Sequence, residues 1–168
     1  LLEGLPPGTH HLVIYSLDGK YNTFQQGATV AADSTTSAEI SVIPAKLVTI
    51  VFVVSAPPDT IPAVPLRMAG NLMQLGNTFA DLAGGTSTIA SRMPAMGLLP
   101  DKRYSLTLSL PAGADIRYLF TLGDGIWNAE INSDGSPRQR QLIVPDQNTI
   151  IEDKISSWGF KTAAPITL

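Results

Sequence analysis

"IRYLFTLGDGIWNAE", residues 116–130, sets the problem that the rest of the chain has to answer. Ile116, Tyr118, Phe120 and Leu122 alternate with other residues, as one face of a half-buried strand does. The strand runs into Gly123-Asp124-Gly125, a turn, and the chain emerges carrying Trp127 beside Asn128 and Glu130. The turn erases the parity of the strand, so alternation does not assign a face to the indole. Trp127 either plugs the end of a hydrophobic core or stands outward as a flat apolar plate.

Working outward from this stretch, the same alternation recurs. In "YSLTLSL" (104–110) Tyr104, Leu106, Leu108 and Leu110 share one face, and Ser105, Thr107 and Ser109 the other. "LVTIVFVVS" (47–55) is apolar on both faces, the pattern of a central strand. "LRMAGN" (66–71) is a short strand, "NSDGS" (132–136) a tight turn, "RQRQLIVP" (138–145) a strand and "NTIIEDKISSW" (148–158) the last one. Residues 72–100 make a long connection with weak helical spacing, of the kind that is functional or partly helical. Six or seven strands so spaced predict an all-β, antiparallel, immunoglobulin-like sandwich over residues 46–168. Its expected core unites Ile50, Phe52, Leu106, Leu108, Ile116, Tyr118 and Phe120.

Residues 1–45 read as a separate, partial β module. "LPPGTHHLVIYSLDGKY" gives a Pro-Gly turn, an extended run over 11–16 and an Asp18-Gly19 hairpin turn, and "AEISVIPA" (38–45) alternates again. Three short strands do not close a sandwich, so their edges are expected to pair with the following module or another chain. The abrupt opening "LLEGLPPGTHH" is expected to be a cut from a longer protein.

The composition narrows the function. Of 168 residues 44% are hydrophobic and 15% charged, with 14 Gly and 13 Pro, which suits many short strands and turns. A net charge of −3 and scattered Lys and Arg argue against nucleic acid as a partner. The longest apolar run, 46–58, is too short to span a bilayer and ends in prolines. No cysteine is present, which excludes disulfides, thiolate metal sites and cysteine nucleophiles.

Catalytic constellations are missing from the sequence. His10 and His11, the only histidines, are neighbours that a strand would point to opposite faces, so they do not share a metal. No Gly-x-Ser-x-Gly elbow accompanies them, and the glycine pairs do not open a helix after a strand as a phosphate loop requires. Asp124, Glu130, Asn132 and Asp134 offer hard oxygens, but not in the order of a calcium loop, and they read better as turn formers. The expectation is a protein without enzyme activity, cofactor or metal.

The run from "LRMAGNLMQLGN" through "YSLTLSLPAGADIRYLFTLGDGIWNAEINSDGSPRQRQLIVPDQNTIIEDKISSW" resembles the starch-binding carbohydrate-binding modules. The likeness spans about residues 64–158 and keeps the family's order of motifs: "aGN…lGN", a strand of the "YKF" type, a tryptophan followed by polar residues, and a closing "…W". It implies a sugar platform in which Trp127 is the second of an aromatic pair, with Asn128 and Glu130 binding hydroxyls. An indole face suits the C–H face of a pyranose. Three family positions differ: Thr78 stands where the first aromatic is expected, Leu119 replaces the lysine of "YKF", and Pro137 falls near the family's asparagine. More loosely, residues 1–45 resemble the end of a transthyretin-like or carboxypeptidase-regulatory-like module. Together these resemblances imply a non-catalytic module of a larger bacterial protein, extracellular or at the cell surface. Its partners would be a polysaccharide, weakly bound, and other domains of the parent chain. The other reading is a structural spacer or interaction sandwich with no sugar-binding activity.

Overall fold

The computed structural model describes residues 2–14, 16, 20–22, 24–78, 92–123 and 128–159. Among them nine strands form three sheets, and Met73–Leu75 forms a 3-10 turn. Strands β1 (Gly8–Ile14) and β2 (Phe24–Val30) pair as an antiparallel ribbon. The sandwich begins at β3 (Leu47–Ser55) and continues with β4 (Leu66–Gly70) and β5 (Gly97–Leu98). It is completed by β6 (Tyr104–Pro111), β7 (Asp115–Leu122), β8 (Arg140–Ile143) and β9 (Thr149–Lys154). One sheet has the order β5-β6-β3-β9, the other β4-β7-β8.

Alternation sorts the side chains as expected. Val48, Ile50, Phe52 and Val54 of β3 meet Ile116, Tyr118, Phe120 and Leu122 of β7 across the sandwich, with Leu110 and half-buried Leu106 and Leu108 from β6. Thr107 and Ser109 are exposed and Ser105 is half-buried, so β6 sits in the expected register. Phe52 meets Tyr118 edge-on at 5.4 Å, and Tyr118 meets Phe120 at 5.8 Å. This aromatic ladder pins one sheet to the other, and such pairs add about 0.5–1.5 kcal/mol beyond the area they bury. Trp158 plugs the same core at 4% exposure, its indole N–H donating to Thr60 Oγ1 at 3.0 Å.

Three expectations need correction. Although β3 is central, only one of its faces is fully covered: Leu47 and Thr49 are exposed and Val51 and Val53 half-buried. Strand β9 runs parallel to β3, so the sandwich is not antiparallel throughout. Residues 38–45 do not ladder as a strand. Residues 38–44 are exposed and Ala45 is half-buried, with a single bridge between Tyr21 and Pro44.

In the ribbon, both histidines lie on β1, which starts at Gly8 rather than His11, and not in a turn. His10 Nε2 lies 2.8 Å from the Pro6 carbonyl oxygen, while His11 is exposed on the other face. The Asp18-Gly19 turn lies outside the described residues. No described residue before Val48 is buried.

Candidate functional site

The candidate site gathers on the outer face of β4 and β7 and around the chain that leaves β7. Strand β4 ends at Gly70, where an added Cβ would come within 2.6 Å of the Leu75 side chain and 2.7 Å of the Arg117 carbonyl oxygen. Asn71 then clips β4 to β7: its Nδ2 donates to Asp115 O at 3.0 Å, and its Oδ1 accepts from Arg117 N–H at 3.0 Å. The "GN" of the first motif is therefore a packing and strand-joining device. At the second, Gly76 adopts a φ of 85°, closing the 3-10 turn by donating its N–H to Met73 O. Left-handed backbone of this kind favours glycine.

The chain after Gly76 turns inward. Thr78 is 0% exposed, and both its N–H and its hydroxyl donate to Gly70 O, at 2.7 and 3.1 Å. Residues 94–96 return along the edge of β4, with Met68 N–H donating to Pro94 O and Met96 N–H to Leu66 O. This places Met93, 1% exposed, against Ala69, Leu119 and Ala129. Leu119 is 2% exposed. Of the three differing family positions, Thr78 and Leu119 are thus interior, one satisfied by backbone and one packed under the chain's own return, while Pro137 is exposed.

The three implied sugar contacts separate. Trp127 lies outside the described residues, as does Asp124. Asn128 is half-buried, and its Nδ2 donates to Leu122 O at 3.3 Å, tying the foot of the loop to the end of β7. Glu130 is 0% exposed. Its backbone N–H donates to Phe120 O at 2.9 Å, and its bridge to Trp158 joins the closing segment. Its carboxylate takes a bidentate pair from Arg140, with Nη2 to Oε1 at 2.8 Å and Nη1 on Oε2. Arg138 stands 3.6 Å from Oε1. Both carboxylate oxygens of Glu130 are thus held inside by Arg140.

Arg140 is the centre of a buried charge cluster spanning both sheets. Its Nε donates to Asp153 Oδ1 of β9 at 3.2 Å, its Nη2 to Lys154 O at 2.9 Å, and its guanidinium lies 4.9 Å from the Phe120 ring centroid. Asp153 Oδ2 accepts from the Tyr118 hydroxyl at 3.0 Å. Burial, reinforced by the Asp153 charge, pushes the Tyr118 phenol well above its ordinary range. Burial opposes the charge on Arg140, yet the Glu130 hydrogen bonds and the Asp153 charge outweigh it and hold its pKa above the usual value. The sequence carried a signal for this cluster that polarity hid: Arg140 shares its parity with Leu142 and Val144, both turned toward the core.

Elsewhere, Asn132 and Asp134 serve their own turn. Ser136 N–H and Oγ donate to Asp134 Oδ1 at 2.9 and 2.6 Å, holding that carboxyl below its usual range. Among the described residues no group of three His, Cys, Asp or Glu is placed to hold a metal ion. Among the described residues no helix is long and apolar enough to cross a membrane.

No protein-family model and no curated protein sequence matches this chain. Among solved structures, it is similar to the family 15 glucoamylase of Hypocrea jecorina at 21% identity and a TM-score of 0.48, covering 78% of this chain and 23% of that one. The Hormoconis resinae glucoamylase gives 19% identity and a TM-score of 0.42, covering 70% and 18%. The γ-CGTase of alkalophilic Bacillus clarkii gives 16% and 0.43, covering 91% and 24%. The chain thus spans about a quarter or less of the length of each enzyme, and no functional assignment rests on likeness of this degree.

Proposed function

We propose that this chain is a non-catalytic module of a larger extracytoplasmic bacterial protein, acting as a structural or interaction β-sandwich. The observation that carries this reading is the burial of Thr78 and Leu119, at 0% and 2% exposure. Sugar recognition by a surface platform needs accessible rings and polar groups. At these two positions the chain has built interior instead, and Glu130 has been drawn into an ion-pair cluster. What remains for a sugar is Trp127, with Asn128 at the foot of its loop.

A second reading, weak binding of an α-glucan, draws on the ordered motifs of residues 64–158 and on Asn128, which anchors the base of the Trp127 loop. One stacked ring is worth about 0.5–1.5 kcal/mol on the aromatic-pair scale. Millimolar affinity requires about 4 kcal/mol. The single indole leaves most of that unsupplied. Retention on immobilised amylose separates the readings: the structural module elutes with an inert control, and a binder is retarded in a way that soluble maltooligosaccharide reverses. Assays with p-nitrophenyl esters and glycosides should give buffer rates. Turnover lost on changing a named Ser or His would contradict the non-catalytic assignment.

A further inference from the structure

One edge of the β5-β6-β3-β9 sheet is open. Ala112 N–H donates to Lys46 O at 2.8 Å, so the even-numbered residues of β6 direct their backbone groups toward β3. Leu99 N–H donates to Arg103 O at 2.7 Å, which gives the odd-numbered ones to the β5 side, in agreement. Strand β5 spans only Gly97–Leu98 and reaches no further than Ser105. Among the described residues, the N–H and C=O of Thr107 and Ser109 therefore meet no partner. The open stretch ends at Pro111, which has no N–H and whose carbonyl accepts from Ala114.

Two other edges of the sandwich are guarded. Exposed Glu152 and Lys154 stand on β9 at the far side of the same sheet, and residues 94–96 line β4 in the other sheet. In contrast, "YSLTLSLP" (104–111) carries no charge. On its inner face Leu106 and Leu108 are only half-buried against the core, and on its outer face Thr107 and Ser109 are exposed. A strand laid along this edge needs apolar residues alternating with small polar ones, over about five residues.

The chain itself contains such a run. Ala38, Ile40 and Val42 alternate with Glu39 and Ser41, all are exposed, and they join no ladder among the described residues. We infer that residues 38–42 of one copy add antiparallel to β6 of a second copy, with Ile40 opposite Leu108. Val42 then covers Leu106, Ala38 meets Leu110, and Glu39 and Ser41 bond Ser109 and Thr107 through the backbone. Ile43 would fall opposite Ser105, where Gly97 already sits, so the added strand ends at Val42. The donor is not the same chain. Lys46 is held opposite Ala112, and Val42 beside Leu106 would lie about 22 Å from it, counting the rise along the sheet and two strand spacings. Four residues reach about 14 Å. The inference rests on the interaction reading above and names its partner as a second copy of this chain.

The chain has no cysteine, so single-cysteine full-length variants report only contacts between copies. In the inferred register Ser41 opposes Thr107 and Glu39 opposes Ser109, with Cα atoms about 5.5 Å apart, inside disulfide range. Swapping partners leaves diagonal neighbours about 7–8 Å apart. S41C mixed with T107C, and E39C with S109C, should form the mixed disulfide at least about tenfold faster than S41C with S109C or E39C with T107C. Ile40→Asp added to the S41C chain should remove that preference without shifting its Tm. The Thr107 and Ser109 amides should exchange freely in the dilute unmodified chain and become protected at about 1 mM. Equal rates for the four mixtures, a preference that survives Ile40→Asp, or amides already protected in the dilute chain, as an internal cover would make them, would overturn the inference. Retention on amylose would overturn the reading it rests on while leaving the disulfide preference untouched, so the two fail separately.

Discussion

Strand β7 buries residues on both of its faces, whereas β1, of almost the same length, buries none. Inward, β7 contributes Ile116, Tyr118, Phe120 and Leu122 to the main core; outward, Leu119 and Thr121 are covered as well. Strand β1 brings Leu12 and Ile14 to one face beside Ala28 and Phe24 of β2, an equally orderly arrangement, and all of them stay partly in water. Alternation sorts side chains in both regions, but a core forms only where a second layer lies over the sorted face. In the sandwich that layer exists twice over β7. The inner one is the opposite sheet, and the outer one is residues 92–96, which the sequence reading assigned to a connection.

The largest break in this comparison should come from the cluster that holds the two layers together. Glu130→Ala leaves the Arg140 guanidinium buried with half its partners, and removing one member of a buried pair costs about 3–5 kcal/mol. Chemical denaturation should show a loss of that size. A change within about 0.5 kcal/mol, the range of ordinary surface substitutions, would mean that the carboxylate faces solvent.

Next in size is the outer cover. Leu119→Ala removes a side chain pressed between Met93, Ala69 and Ala129 and should cost about 2–5 kcal/mol. Leu119→Lys should also destabilise, because the ammonium would enter an apolar pad. If Leu119→Lys folds with unchanged stability and gains sugar affinity, the cover is not the barrier described.

A smaller effect sharpens the cross-sheet link. The Tyr118 phenol is pushed upward in the folded chain, chiefly by burial and then by Asp153. Folding therefore favours its protonated form. The associated stability is complete below the unfolded tyrosine pKa of about 10 and is lost as pH rises from there toward the folded value. Tyr118→Phe should flatten that alkaline decline while costing about 1 kcal/mol at neutral pH for the lost hydrogen bond. An unchanged alkaline profile would remove Tyr118 from the account. Smallest of all, Leu12→Ala in the ribbon should move stability of the sandwich by no more than about 0.5 kcal/mol.

The same contrast explains what the sequence disclosed. Period-two alternation located β6 and β7 within a residue or so, and the apolar runs at 47–55 and 66–71 located β3 and β4, because each has a face packed on the opposite sheet. It also marked 38–45 as a strand, where the alternation is present and the ladder is not. The burial of Leu119 was not legible, since its cover comes from a segment without periodicity. The burial of Glu130 was not legible either, since carboxylates default to water; only the inward parity of Arg140 hinted that a buried partner awaited it. The parallel entry of β9 left no mark on the sequence, because pairing direction does not change which side chains alternate.

The claim that the platform positions have become interior is tested most directly by calorimetric titration of the full chain with maltoheptaose, alongside Trp127→Ala. The account predicts no saturable binding at millimolar sugar for either protein. Saturable binding by the parent chain that disappears in Trp127→Ala, with stability unchanged, would contradict it.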